Sequence, residues 1–284
     1  MEVPELISVA ITTYNRSDAL LAVLSALTRQ SDRNFEVIVA DDGSTQAHRE
    51  AILRSADARA LKLVHVWHPD VGFTASKVRN RGVAAARGNY IVFLDGDCVP
   101  ENDFIARHRA LAQPGFFVNG SRVLLSPGLT QRVLAGLETV DGHGAGYWTA
   151  KRLKGDSSKL TGLLRLPDFG LRNQSKFNWK GIRSCNLAVW KSDFEKVDGF
   201  DESFVGWGHE DADFVLRLHN LGVSRKNGFC ATEVFHLWHK EASRHQESAN
   251  AQTVRQRATT QIFKPTLGYA RLRPDDDAVL TRAG

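Results

Sequence analysis

Cysteine is scarce in this chain: Cys98, Cys185 and Cys230 are the only three, widely spaced and without a Cys-x-x-Cys pair. That excludes a disulfide framework or a zinc knuckle and points to a reducing, cytoplasmic compartment. Long apolar runs are missing too. No stretch approaches the ~18 consecutive apolar residues of a membrane span. Met1 to Ile11 carries Glu2 and Glu5 and no basic region ahead of its apolar residues, so no secretory leader is expected. Methionine occurs once and proline eight times, against 23 glycines in 284 residues. With 42% hydrophobic and 24% charged residues, this composition excludes collagen-like, coiled-coil and disordered chains and describes a soluble globular protein with a large core. Neither Gly-x-Gly-x-x-Gly nor Gly-x-x-x-x-Gly-Lys-Ser/Thr is present, so the usual dinucleotide and P-loop cradles are excluded.

The formal charge of +5 is unevenly placed. Residues 141–185 carry nine Lys/Arg against three Asp, residues 240–284 carry eight against five Asp/Glu, and the remainder is net negative. Such basic segments suit a polyanion, an anionic membrane surface or an anionic substrate. The cations do not lie on one periodic helix face with interleaved aromatics, which argues against nucleic acid.

Apolar runs and helical patterns alternate along the first hundred residues. Leu6-Ile-Ser-Val-Ala-Ile11 reads as a buried strand, followed by a helix capped by Ser17 or Asp18 with Leu20, Leu21, Leu24 and Leu27 at helical spacing. Strands at 35–40, 61–66 and 90–94 follow, separated by helices over 47–58 and 74–87. This βαβ alternation predicts an α/β fold with a mostly parallel sheet flanked by helices, whose ligands gather at the carboxyl ends of the strands. Beyond Pro100 the pattern loosens into helices over 103–112 and 129–140 and strands at 116–119 and 122–125. Residues 141–180, with six glycines and many cations, read as a long functional loop. Its aromatics Tyr147, Trp148, Phe177 and Trp179 suit a lid or an acceptor-binding segment, the alternative being a surface insertion. Order resumes with a strand at 184–190 and helices at 192–197 and after Gly208. The run Asp275-Asp276-Asp277 reads as solvated tail.

Polar clusters fall where strands end. Asp95-Gly-Asp97 places two carboxylates where a strand opens into a loop, so both can reach one hard cation, although an Asp-x-Asp also serves in ordinary turns. Asp41-Asp42-Gly43-Ser44 offers carboxylates to a base or ribose, or a plain turn. Arg79 can hold a carboxylate or a phosphate. Gly206-Trp-Gly-His-Glu-Asp-Ala-Asp213 sets an indole beside carboxylates that either stabilise a helix N-terminus or do chemistry. His236-Leu-Trp-His239 offers imidazoles to a metal.

Ser8-Val-Ala-Ile-Thr-Thr-Tyr-Asn-Arg16, Val39-Ala-Asp-Asp-Gly-Ser44, Arg79-Asn-Arg-Gly82 and Phe93-Leu-Asp-Gly-Asp97 resemble, in order and spacing, the nucleotide-sugar motifs of family 2 glycosyltransferases, which have the GT-A fold. Gly199-Phe-Asp-Glu202 and the Gly206–Asp213 cluster resemble the acceptor-side segment of this family and of β-1,4-galactosyltransferases, with the pattern Gly-Trp-Gly-x-Glu-Asp. The resemblance covers residues 6 to about 240, apart from the loop at 141–180. It implies a metal-dependent inverting transfer of a hexose or N-acetylhexosamine from a UDP-sugar to a glycan or glycolipid hydroxyl. Thr12, Tyr14 and Asp42 would line the uridine pocket, with Asn15, Arg16 and Gly96 also on the donor side. Arg79 would stand beside the diphosphate or base, and Asp95 would face the ribose or metal. Asp97 would ligate Mn²⁺ or Mg²⁺, completed by His236 or alternatively His239. Asp211 would be the catalytic base, with Glu210 and Trp207 holding a sugar and Gly208 and Asn186 on the acceptor side. Galactose or N-acetylgalactosamine is mildly favoured as donor sugar.

A nucleotidyltransferase of similar fold is the rival enzyme, but 12–16 lack its glycine-rich basic loop. A non-catalytic sugar-nucleotide or polyanion binder is the other alternative. The expected organisation is one domain over 1–240, with a nucleotide-sugar half at 1–100 and an acceptor half at 101–240, and a basic extension at 241–284 that could dock on an anionic inner membrane face.

Overall fold

Aliphatic residues fill β1 (Ile7–Thr13), β2 (Phe35–Asp41), β3 (Val64–Trp67) and β4 (Tyr90–Asp95). Successive side chains of a strand face opposite ways. Ile7, Val9 and Ile11 of β1 belong to a core with Leu20, Leu24 and Leu27 of α1 (Ser17–Thr28), whereas Ala10 belongs to another with Ile38, Ile91 and Phe93. Both faces are apolar, hence the unbroken apolar runs in the sequence. The computed structural model describes residues 2–160, 165–179, 181–240, 247–271 and 278–283; Lys180 and Asp275, Asp276 and Asp277 lie outside them.

These four strands are parallel, in spatial order β3-β2-β1-β4, joined by α1, by α2 (Gln46–Arg54) with α3 (Ala56–Ala60), and by α4 (Ala75–Ala84). The helix expected over 47–58 is split at Ser55, whose hydroxyl accepts the Ala58 amide and caps α3. The chain steps outward from β1 to β3, then returns to lay β4 on the other side of β1. That reversal opens a crevice beyond the C-terminal ends of β1 and β4.

The rest of the sheet is mixed. Next to β4 comes β9 (Asn186–Trp190), antiparallel both to β4 and to β6 (Phe116–Asn119). Outside β6 lie β10 (Ser224–Asn227) and β8 (Asn173–Gln174). A second sheet joins β5 (Cys98–Pro100), β11 (Val234–His236) and β7 (Arg122–Leu124). α5 (Phe104–Leu111) and α6 (Pro127–Leu134) contribute Phe104 and Leu129 to the α1 core. α8 (Lys191–Lys196) and α9 (Glu210–Asn220) close the other face, where Phe200 stacks on Phe214 at 4.3 Å.

The described residues of 141–180 do not form one lid. α7 (Ala145–Leu153) buries Trp148, whose indole stacks on Phe235 at 4.2 Å, and the Tyr147 hydroxyl donates to Glu138 at 2.7 Å. The lid expectation is therefore corrected for Tyr147 and Trp148: an indole this well packed is core. Phe177 and Trp179 instead rest against Phe204, Ala212, Leu216 and Val254. The segment expected as an extension packs back wherever it is described. α10 (Glu247–Arg257) buries Val254 against α9 residues, and β12 (Val279–Arg282) pairs antiparallel with β3. Among the described residues no helix is long and apolar enough to cross a membrane.

Candidate active site

The β1–β4 register sets Thr12 beside Asp95, and the Thr12 hydroxyl donates to the Asp95 carboxylate at 2.8 Å. Asn15, in the left-handed region at φ 49°, ties two loops together: its amide donates to Ser44 Oγ at 2.8 Å and its side-chain oxygen accepts from Thr45 N at 2.9 Å. Tyr14 is half exposed and donates to Asp70 at 2.8 Å. The two aspartates after β2 divide their work. Asp41 is fully buried, 2.9 Å from His65 and accepting from Ser44 N at 2.8 Å, so it braces the loop. Asp42 accepts from Thr74 N at 2.9 Å and from the Thr74 hydroxyl, with His68 Nε2 3.1 Å away. Gly43 turns at φ 96°, and a Cβ there would meet the Asp70 backbone at 2.5 Å, so only glycine fits. The Gly96 amide donates to Thr12 O at 2.8 Å and closes the β4 end onto β1.

Arg79 joins the two halves of the chain. Its buried guanidinium lies 3.0 Å from Glu210 at the start of α9 and 3.5 Å from Asp95 at the end of β4. Its neighbour Asn80 donates to Phe200 O at 2.9 Å and accepts from Phe200 N at 2.8 Å, fixing the Gly199–Glu202 turn that precedes the Gly206–Asp213 cluster. One helix thus holds the end of β4, the 199–202 turn and the start of α9 together.

Asp97 sits in a cluster built by the second sheet. The antiparallel β11–β5 register puts His236 opposite Cys98, and Leu237 N donates to Asp97 O at 2.9 Å. Ligand atoms of Asp97, Cys98 and His236 lie within 4.8 Å of one another, with His239 Nε2 3.1 Å from Asp97. Burial would raise the Asp97 carboxyl, but the His239 hydrogen bond and both imidazoles hold it below the usual range. The Asp97 contact raises His239, whereas desolvation lowers His236. A carboxylate converging with a neutral imidazole suits a divalent cation, so the donor set fits one. Asp95, expected to share the metal, is instead engaged by Thr12 and Arg79 and stands outside this group.

Asp211 occupies the first turn of α9. Burial and the neighbouring Glu210 push its carboxyl up to about 7, against the lowering pull of Arg79 and of the Ser184 and Ala212 amides. Those amides donate at 3.2 Å and 2.7 Å and orient it. Gly206, Gly208 and His209 all have positive φ, so the backbone entering α9 turns sharply on either side of Trp207. A partly buried carboxylate near neutrality is suited to take a proton at physiological pH.

Two expected residues stand apart. Asn186 is buried, its oxygen 3.1 Å from His108 Nε2 and its amide donating to the Ser121 and Thr232 carbonyls. It braces β9 from inside, which corrects its placement at the acceptor. Arg16 pairs with Asp18 at 3.0 Å on the surface. Missed by the sequence were Cys98, His68, Thr74 and Ser184, none in a spacing that signals a site; each arrives through pairing or a loop fold.

The model of glycosyl transferase family 2 matches residues 8–191, and that of the N-terminal domain of galactosyltransferase matches residues 170–240. Validoxylamine A glucosyltransferase of Streptomyces hygroscopicus subsp. jinggangensis is 32% identical over 229 residues, covering 77% of this chain and 52% of the relative. Chondroitin synthase of Escherichia coli is 30% identical over 234 residues, covering 76% of this chain and 32% of that protein. The chain thus spans about half, or less, of the length of the curated relatives it matches. Among solved structures, the mannosyltransferase PcManGT of Pyrobaculum calidifontis, in complex with GDP-Man and Mn²⁺, superposes with a TM-score of 0.58 at 18% identity, covering 90% of this chain and 65% of that one. TarS of S. aureus gives 0.56 at 15% identity over 93% of this chain and 41% of TarS. These neighbours share the GT-A fold, and with the family match over most of its length the chain belongs to glycosyl transferase family 2.

Proposed function

We propose that this protein is a metal-dependent, inverting glycosyltransferase that moves a hexose or N-acetylhexosamine from a UDP-sugar to a hydroxyl of a glycan or glycolipid. The observation that carries the reading is the Arg79 bridge, 3.5 Å from Asp95 and 3.0 Å from Glu210, which ties the strand end that leads to Asp97 to the helix start that holds Asp211, a carboxyl raised to about 7. Thr12, Tyr14 and Asp42 receive the nucleoside, and Arg79 balances charge between donor and acceptor segments. Asp97 and His236, with His239 in reach, would hold Mn²⁺ or Mg²⁺, which when bound neutralises the departing diphosphate. Asp211 takes the proton of the acceptor hydroxyl as its oxygen bonds to the anomeric carbon and the bond to the diphosphate breaks. One displacement from the face opposite the leaving group inverts that carbon. Trp207 and Glu210 hold the sugar beside it. A protein that only bound sugar nucleotides would have no use for a partly buried carboxyl kept near 7.

Calorimetric titration with UDP, with and without Mn²⁺, tests the donor side. Binding is expected to require both the metal and Asp97, so Asp97→Asn abolishes the metal-dependent part. UDP binding indifferent to both would overturn the donor assignment.

A further inference from the structure

Helix α10 lies outside the donor machinery yet grips the loop that carries Trp207 and leads into Glu210 and Asp211 at the start of α9. That loop turns sharply: Gly206 (φ 75°) and Gly208 (φ 105°) take a positive φ that glycine adopts freely, and His209 (φ 70°) follows them at a cost its surroundings must offset. Neither Val205 O nor Gly208 O is taken up by a strand ladder. Asn250 Nδ2 donates to both, at 3.3 Å and 3.0 Å. A carboxamide has two N–H donors and can serve two carbonyls at once. Asn250 is only 9% exposed, so water does not easily replace it.

The same helix is anchored on either side of the loop. Arg257 Nη1 lies 2.8 Å from Asp201, before the loop, and 2.7 Å from Asp213, after it, while its Nη2 donates to Thr266 at 2.7 Å. Val254, fully buried among Phe204, Ala212 and Leu216, fills the space between. Three successive turns of α10 thus meet the segment before the loop, the loop itself and the first turn of α9.

We propose that Asn250 is a positioning residue for transfer: its amide holds the 205–208 backbone in the one conformation that presents Trp207 and Asp211 to the acceptor. The inference rests on the reading of Asp211 as the base. It makes α10 part of the acceptor site rather than a tail.

The test compares the full chain with Asn250→Ala and with the nearly isosteric Asn250→Asp, which has no N–H to give. Hydrogen exchange of the 206–211 amides reads the loop. UDP affinity with Mn²⁺ reads the donor side, and UDP released from a panel of UDP-hexoses, with water taking the sugar as acceptor, reads turnover. Both variants should speed loop exchange about tenfold or more and cut turnover by about tenfold or more. UDP affinity and KM for the donor should stay within about twofold, because the donor side is untouched. The acidic limb of the pH–rate profile should move as Asp211 gains solvent. Unchanged exchange, or a loosened loop with unchanged turnover, overturns the proposal. So does a parallel fall of turnover, UDP affinity and melting temperature, which would mean a general structural role. A wild-type chain that neither binds UDP nor releases it overturns the underlying reading and the proposal with it, while loop exchange still reports whether Asn250 holds the backbone.

Discussion

Asp211 and Asp97 carry the same side chain and are driven opposite ways by their neighbours. At Asp211, burial and Glu210 outweigh Arg79 and two backbone amides, and the carboxyl rises to about 7. At Asp97, two imidazoles outweigh burial and hold the carboxyl low. With Asp211 as the proposed base, transfer should fall as pH drops through about 7, where its carboxylate takes up a proton. Asp211→Asn should lower the transfer rate by about 10²- to 10⁴-fold in steady-state assays. The same substitution bears on stability with a definite sign. A carboxyl raised in the folded state contributes fully below its ordinary value of 3.8 and loses that contribution as pH rises through about 7. Asp211→Asn should thus melt higher than wild type at pH 8, with the gap closing as pH falls to about 3.8, as differential scanning calorimetry would show; a gap that does not change with pH would refute the buried-charge account. Arg79→Met leaves Glu210 and Asp95 facing each other with no cation. Breaking such a buried pair costs about 3 kcal/mol or more, measurable by urea unfolding.

Elements differ in how far their sequences announce them. β1 to β4 are legible because strands buried on both faces must be continuously apolar, and α9 because its acidic first turn follows two glycines. β5, β8 and β10 are two to four residues long, too short to show a period, and exist only because a partner strand lies alongside. α7 hid inside a glycine- and lysine-rich stretch because its burial depends chiefly on Trp148. Trp148→Ala should cost about 3–5 kcal/mol in urea unfolding. A lid residue would show the reverse, lost turnover with stability intact.

Across the whole molecule, proton uptake and surface charge are the properties to measure. His108 is fully buried, and desolvation lowers it to about 4, so it folds neutral. Below its ordinary value of 6.5 the unfolded chain binds this proton and the native one does not, so stability declines as pH falls from 6.5 towards about 4. His108→Gln should flatten that part of the melting-temperature profile; an unchanged slope would show that other groups set it. Arg257 is spent inside the fold, but Arg152, Lys154, Lys159, Lys176, Arg255, Arg271 and Arg282 remain exposed. If they dock the protein on an anionic bilayer, sedimentation with vesicles should show salt-reversible binding to anionic lipid; equal binding to neutral vesicles would end that idea. The primary structure by itself determined the βαβ half, the polar clusters at its strand ends and the order of the motifs, because these follow from local periodicity and from where a buried strand must stop. Only the tertiary structure decided that His236 meets Asp97 through the β5–β11 register, that Arg79 spans 131 residues of chain to reach Glu210, that Asn186 is a brace, and that α10 holds the 205–208 loop. Those contacts join residues far apart in the chain, and no local pattern encodes which distant partner a side chain will meet once burial is complete.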